Sequence, residues 1–170
     1  MVALLGLLLF GRCPVDPLTH RTIHSLPPVF GARVTDGKLQ ILMGSHCTGI
    51  TRLKFQFSHS GAVLILTSRD GADVDHLTVG GPYPAGMTVF QALPPDFPWQ
   101  QEFSLEISPE GGNSLWRATV QLEKAIEGSK THPMDSYWFD LVGWLDADQA
   151  AAQDGTKYLG LCTPDPALRD

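Results

Sequence analysis

Cysteine is the residue type with the clearest chemistry in this chain, which contains Cys13, Cys47 and Cys162. A bridge between Cys47 and Cys162 would close roughly two thirds of the chain into a loop, and the chain-entropy model assigns such a loop about 4–5 kcal/mol. Disulfides persist only in oxidising compartments, so we expect the bridge and export together. The alternative is two buried free thiols. The cysteines form no Cys-x-x-Cys pair or close Cys/His cluster, so we expect no zinc site.

Two other groups of residues have side chains that bind metal ions. His20 and His24 are four residues apart, as on one face of a helix, but the prolines around them favour a structural tether. Asp70, Asp73 and Asp75 bring carboxylates together in sequence, yet the run lacks the alternating order and the distal Glu of an EF-hand calcium loop. We therefore predict a solvated hairpin turn over these aspartates, and no metal or cofactor.

Catalytic groups are harder to assemble from this sequence. The motif Ser45-His46-Cys47 places hydroxyl, imidazole and thiol side by side, but adjacent residues on an extended chain point to opposite faces. No G-x-S-x-G nucleophile elbow exists. Asp135 and Asp140 are the best candidate pair for a two-carboxylate hydrolase. We assign no catalytic residue and interpret the chain as leaning away from an enzyme, with a small extracytoplasmic hydrolase as the alternative.

Four aromatic side chains form a candidate ligand surface: Phe97 and Trp99 in the Pro-rich loop that begins at Pro94, and Tyr137 and Trp138 further along the chain. Aromatic loops of this kind often stack on a ligand or form an exposed interaction patch. The loop can equally pack as a plug across the open end of a β domain, because each ring buries a large apolar area. For Phe97 and Trp99 the plug is the favoured interpretation.

The elements that would position these residues are mostly β-strands. Apolar and polar residues alternate with period two over Thr51–Ser58, Glu102–Ser108 and Leu115–Leu122, and Ala62–Ser68 is apolar on both sides, as in a central strand. Turn signals lie between such runs. These signals are Asp36-Gly37, His59-Ser60-Gly61 and Pro109 to Asn113.

Shorter strands are predicted at Leu39–Met43, Asp75–Val79 and Met87–Ala92, and Tyr137–Val142 is expected to pair with Lys157–Cys162. The chain has one good helix candidate: Asp146 can cap a short helix over residues 147–153, and Gly155 suits its end. Roughly nine short strands predict a mainly β fold, an antiparallel immunoglobulin-like β-sandwich with one short connector helix. A closed β-barrel is the alternative.

The first residues are typical of an export signal. Val2–Phe10 is an apolar run too short to span a bilayer, and Cys13 follows almost at once, as in a bacterial lipoprotein signal. Arg12 departs from the small residue usual before a lipidated Cys. We predict a leader over residues 1–13 with lipidation at Cys13, a Pro-rich tether over 14–30, one β domain over 31–165 and a tail over 166–170.

Charge bears on the class of partner. The formal net charge is −6, and the 12 Lys and Arg residues are scattered singly. Nucleic-acid binders usually present a basic face to phosphates, and membrane-surface binding needs a polybasic patch, so we expect neither. The expected partner is an unknown protein or envelope polymer, with membrane contact only through a lipid at Cys13.

The C-terminal third carries a family resemblance. The segments Ser136–Phe139, Val142–Leu145, Asp154–Leu159 and Leu161–Pro164 resemble uncharacterised actinobacterial envelope lipoproteins. The resemblance implies an extracytoplasmic location, either secreted or lipid-anchored, and implies no activity. The sequence thus predicts an exported, non-catalytic binding or structural module of the cell envelope.

Overall fold

The computed structural model describes residues 26–109 and 116–168, and they form one eight-stranded antiparallel sheet with two helices. The predicted leader, Cys13, His20, His24 and the turn after Pro109 lie outside the described residues. The elements are β1 (Gly31–Thr35), β2 (Lys38–Phe57), β3 (Val63–Thr78), β4 (Thr88–Gln91), β5 (Phe103–Pro109), β6 (Trp116–Thr119), α1 (Leu122–Gly128), β7 (Tyr137–Phe139), β8 (Gly143–Leu145), α2 (Ala147–Gln153) and a short 3-10 helix (Pro166–Leu168).

A long hairpin of β2 and β3 is the spine of the sheet. β2 runs for 20 residues and β3 for 16, and their register shifts at several points between Leu42 and Arg52. Gly49 and Gly71 lie at these irregularities with φ of 64° and 78°, a backbone conformation that disfavours other residues. A Cβ at Gly71 would lie 2.8 Å from the Cα of Gly49. These β-bulges let the hairpin bend without ending.

The two halves of the spine have different neighbours. The first half of β2 pairs with β1, which continues to β7 and then β8, whereas the second half pairs with β5, which continues to β6. β4 pairs with β3 at one end of the sheet. Among the described residues the sheet therefore ends at open strands and is not closed into a barrel, so the barrel alternative is wrong.

One main core joins both halves of the spine. Residues of alternating positions in β2 are fully buried in the same cluster, and they are Leu39, Ile41, Met43, Leu53, Phe55 and Phe57. The rings of Phe30, beside β1, and Phe103, in β5, lie 5.7 Å apart between centroids. A second, smaller cluster lies beneath α2 and is built around Phe139 and Tyr158. The period-two pattern thus buries the residues that the sequence assigned to the inside.

The mainly β, antiparallel prediction is confirmed, while the immunoglobulin-like arrangement stays a prediction. The hairpin turn predicted over Asp70–Asp75 is wrong, because β3 runs straight through this stretch, with the three aspartates exposed and Gly71 absorbed as a bulge. The strand predicted at Lys157–Cys162 is also wrong. β7 pairs with β1 and β8 instead. Residues 157–162 make only isolated bridges, such as that between Leu159 and Pro28.

The helices show both a success and a miss. α2 spans the predicted residues, and a reciprocal capping box joins the Asp146 and Gln149 side chains to each other's backbone N–H groups. α1 is a miss, because the alternation over Leu115–Leu122 predicts a strand as far as Leu122, whereas β6 ends at Thr119 and α1 begins at Leu122. Leu122, Ala125 and Ile126 are instead apolar at helical spacing and face the main core.

Candidate functional site

The predicted disulfide is present. Cys47 of β2 is bonded to Cys162 with a Cα–Cα distance of 5.2 Å, across 115 residues of chain. Cys47 is fully buried and Cys162 is half-buried. The bridge prediction is therefore confirmed, and the alternative of two free thiols is wrong. The bond joins the middle of the long hairpin to the C-terminal segment.

Hydrogen bonds extend this covalent tie along the C-terminal segment. The N–H of Leu161 donates to the carbonyl of Met43, and the N–H of Cys162 donates to the hydroxyl of Ser45 at 3.0 Å. Gly160 lies so close to the spine that a Cβ there would be 2.7 Å from the Ser45 oxygen. Asp154 accepts from the N–H of Gly160 at 2.7 Å and so holds the segment in shape.

Tyr158 anchors the same segment to α2. Its ring is fully buried against Phe139, and its hydroxyl donates to the carbonyl of Ala150 at 2.8 Å. Burial raises the pKa of Tyr158 above its ordinary value, and the charge of Asp154 adds to the effect. The phenol therefore stays protonated and can keep donating this hydrogen bond.

The Ser45-His46-Cys47 motif does not assemble a nucleophile and a base. Ser45 accepts from the backbone of Cys162, and Cys47 is consumed in the disulfide. His46 points to solvent, where its Nδ1 lies 2.6 Å from a carboxylate oxygen of Asp75. That hydrogen bond, together with the charge of Asp75, raises the pKa of His46 above its ordinary value. The imidazole is therefore paired with a surface carboxylate and not with a hydroxyl or thiol.

A groove of about 1160 Å³ runs beside α1 and is the candidate binding site of the described residues. Its walls carry amides, both signs of charge and a few apolar groups. The lining consists of His59, Gln100, Gln101, Glu102, Thr119, Val120, Gln121, Leu122, Glu123, Lys124, Ile126, Glu127, Lys130 and Asp140. The lining mixes hydrogen-bonding groups with apolar surface and opens to solvent, so it suits an extended ligand that carries hydrogen-bonding groups better than a small apolar one.

Asp140 lies at the edge of the groove with both carboxylate oxygens engaged. One oxygen accepts from the indole N–H of Trp138 at 2.7 Å, and the other accepts from the N–H of Gln121 at 2.8 Å, at the first turn of α1. Lys124 lies over the Trp138 ring, with its Nζ 5.3 Å from the centroid. Asp140 thus fixes α1 against β7, because a carboxylate at this position satisfies a backbone donor that the helix leaves free.

The two carboxylates of the proposed pair interact with different side chains. Asp135 is exposed, and its charge adds to the burial that raises the pKa of Tyr137. Asp140 instead accepts a hydrogen bond from the indole N–H of Trp138. Tyr137 and Trp138 are adjacent in β7 and pack against different core clusters, so they mark opposite faces of the strand. Burial raises the pKa of Tyr137, partly countered by the charge of Arg33. The paired-carboxylate hydrolase gains no support from this geometry.

The Pro-rich loop packs inward. Phe97 and Trp99 are half-buried against the main core, and the ring of Phe97 meets that of Phe57 edge-on with centroids 4.8 Å apart. This placement fits the plug and leaves Gln100 and Gln101 on the groove wall. The structure does not gather Phe97, Trp99, Tyr137 and Trp138 on one face, and their ligand-stacking role stays a prediction.

Arg33 is the residue that the sequence analysis missed. It is buried in β1, and its guanidinium donates to five oxygens, none of which is a carboxylate. The acceptors are the Thr35 hydroxyl and the carbonyls of Ser129, His132, Pro133 and Ser136. All five N–H donors of the side chain are thereby used, which ties the loop after α1 to β1. A lone Arg in a short strand gave no sequence signal for this.

The described residues hold neither a metal-binding cluster nor a membrane-spanning helix. They contain no group of three or more His, Cys, Asp or Glu side chains arranged to hold a metal ion. They also contain no helix with the length and apolar character needed to cross a membrane. Comparison of the chain with protein-family models, curated proteins and solved structures gives no match.

Proposed function

We propose that the chain is an exported, non-catalytic binding or structural module of the cell envelope. The Cys47–Cys162 disulfide carries the proposal, because a bridge across 115 residues is kept only where thiols oxidise. The apolar run Val2–Phe10 supports export, and Cys13 would take the lipid that tethers the module. The two halves of the spine share one core, which supports an immunoglobulin-like sandwich as the finer description of the fold.

The groove beside α1 is the proposed binding surface. Exposed Glu123 and Glu127 lie on one wall with Lys124, and Glu102 faces them from the segment before β5. Such charged and amide groups make hydrogen bonds with a polar polymer or with a protein surface. The inward-packed Phe97 and Trp99 hold the opposite wall in place, so the groove is formed before any ligand arrives.

Location is tested by trapping thiols in living cells. Cells are quenched in acid, free thiols are alkylated with a mass tag, and the chain is examined without reductant. We expect Cys47 and Cys162 to stay untagged until reductant is added. A Cys47→Ala variant is the matched control, because it should free Cys162 and add one tag. Tagging of both residues in the wild-type chain would contradict export.

Binding is tested by co-sedimentation with purified cell-wall polymer. The Glu123→Lys and Glu127→Lys variants reverse two exposed charges of the groove and are expected to change the bound fraction several-fold. Asp148→Lys is the matched control, because Asp148 is an exposed acid in the first turn of α2 and does not line the groove. Equal binding by all variants would remove the groove from the proposal.

A further inference from the structure

Leu141 combines an exposed apolar side chain with a strained backbone. It is 80% exposed, more than any other large hydrophobic residue in the described part of the chain. It lies in the turn between β7 and β8, and its φ is 69°. This left-handed conformation suits glycine or asparagine and is unfavourable for a bulky side chain. Neither burial nor backbone geometry therefore favours leucine at this position.

The turn itself does not require a leucine side chain. It is closed through the backbone, where the N–H of Val142 donates to the carbonyl of Phe139 at 3.2 Å. Strained residues that the fold does not need are concentrated where a protein contacts other molecules. An exposed apolar side chain also gains free energy when a partner removes it from water. The strain and the exposure together indicate an intermolecular contact at Leu141.

The same turn borders the groove beside α1. Asp140 directly precedes Leu141 and lines the groove. Its carboxylate accepts from the N–H of Gln121 and from the indole of Trp138. These two hydrogen bonds fix the start of the turn against α1, so Leu141 stands on a firm base beside the groove. A side chain that is already held in place loses less conformational entropy on binding than a mobile one.

The groove carries an excess of negative charge. Four carboxylates line it, against two lysines, and one of these, Lys124, lies over the Trp138 ring. Glu102, Glu123 and Glu127 are exposed and form no ion pair with another described residue. A ligand that complements these three acids brings positive charge.

We propose that the groove and Leu141 together bind a basic segment of a partner protein, in which apolar side chains alternate with lysine or arginine. This inference rests on the proposed function, because it names the ligand of the same groove. An uncharged polysaccharide offers no cation to the glutamates, and an anionic membrane surface repels a chain of net charge −6. A basic protein segment supplies cations for the groove and an apolar contact for Leu141.

Fluorescence anisotropy of labelled synthetic peptides with the full chain tests the ligand class. The peptides have equal length and alternate lysine with leucine, lysine with serine, or glutamate with leucine. We expect the lysine–leucine peptide to bind, the lysine–serine peptide to bind several-fold more weakly, and the glutamate–leucine peptide not to bind. Leu141→Gly should bind the lysine–leucine peptide about tenfold more weakly and the lysine–serine peptide as the wild type does.

Thermal unfolding separates a contact role of Leu141 from a structural one. Glycine adopts the left-handed conformation without steric cost, so Leu141→Gly should keep or raise the Tm while it lowers affinity. Phe90→Ala is the matched control, because Phe90 is 74% exposed in β4, which contributes no groove residue. The variant with Glu123→Gln and Glu127→Gln should weaken both lysine peptides alike, and Asp148→Asn, outside the groove, should weaken neither.

Three outcomes would overturn the proposal. They are equal binding of the lysine–leucine and glutamate–leucine peptides, unchanged affinity in Leu141→Gly, and a lower Tm in that variant, since leucine would then support the fold. The polymer experiment distinguishes this failure from that of the proposed function. If polymer binding depends on Glu123 and Glu127 while no peptide binds, the groove remains the binding surface and only the class of partner is wrong.

Discussion

Two irregular segments are fastened to the first half of the sheet in different ways. The C-terminal segment that contains Cys162 is tied to β2 by a covalent bond, with Ser45 and Met43 accepting hydrogen bonds beside it. The loop between α1 and β7 is tied to β1 by the buried guanidinium of Arg33, which donates to five oxygens. One tie is covalent and the other is made of hydrogen bonds alone.

The disulfide acts mainly on the unfolded chain, whereas the hydrogen bonds of Arg33 act on the folded chain. A disulfide restricts the unfolded chain, so its contribution depends on loop length more than on its surroundings. The Arg33 tie exists only in the folded state, and it must offset the cost of removing a cation from water. The Arg33 tie offsets this cost because every N–H group of the side chain has an acceptor. Any replacement side chain would leave several carbonyls without these hydrogen bonds.

Cutting the covalent tie is expected to have the largest effect. Replacing both Cys47 and Cys162 by Ala should lower the free energy of unfolding by about 4–5 kcal/mol, because the unfolded chain regains the entropy of a large loop. Urea denaturation measures the change. Reductant should weaken the wild-type chain and leave the double variant unaffected. A double variant as stable as the wild type would contradict this role.

Removing the Arg33 tie is expected to cost less. Arg33→Met keeps much of the volume but removes the guanidinium donor from the carbonyls of Ser129, His132 and Ser136, so we expect a loss of about 3 kcal/mol in the free energy of unfolding. The matched control is Arg52→Met, because Arg52 is an exposed strand residue and should change stability little. If Arg33→Met and Arg52→Met are equally stable, the hydrogen bonds do not hold the loop.

A smaller effect is expected at Tyr158, which supports the covalently tied segment. Tyr158→Phe removes the hydroxyl that donates to Ala150 and should cost about 1 kcal/mol. Since the folded pKa of Tyr158 is raised, its contribution is complete below the unfolded pKa of about 10 and is lost as the pH rises through the folded pKa. Wild-type unfolding should therefore become easier at strongly alkaline pH, and Tyr158→Phe should lose part of that dependence.

The smallest effect is expected at the exposed pair of His46 and Asp75. An NMR titration of the imidazole should give a pKa above the usual value near 6.5, because Asp75 stabilises the charged ring. The contribution of the pair to stability is present below the unfolded pKa and is lost as the pH rises through the folded pKa. Asp75→Asn should return the His46 pKa to its usual range. An unchanged value in this variant would show that the two side chains do not interact in solution.

Local patterns predicted much of the fold. The alternation in Thr51–Ser58 and Glu102–Ser108 matches buried positions in β2 and β5, and the capping residues around Asp146 give the start of α2. The misses occurred where neighbours outweigh local signals. The glycine among Asp70–Asp75 reads as a turn, yet it serves as a bulge because β3 has a long partner strand.

The candidate site was predictable only in part. Asp140 and Trp138 were singled out as chemistry-bearing residues, but their role in holding α1 depends on Gln121 being brought beside β7. Residues of α1 line the groove, and the sequence did not predict α1 because the strand-like alternation continues to Leu122. Arg33 carried no signal at all, because its five acceptors are backbone and hydroxyl oxygens from segments that only folding brings together.

By itself the sequence determined the antiparallel strand content, the second helix and the partners of the disulfide. These follow from the period of side-chain alternation, from capping residues a few positions apart and from assigning Cys13 to the predicted leader, which leaves one pair of cysteines. Only the tertiary structure decided the continuous spine, the strand neighbours, the groove and the Arg33 tie. Each of these depends on contacts between residues far apart in the chain, whose free energies are set by burial and by complete hydrogen bonding.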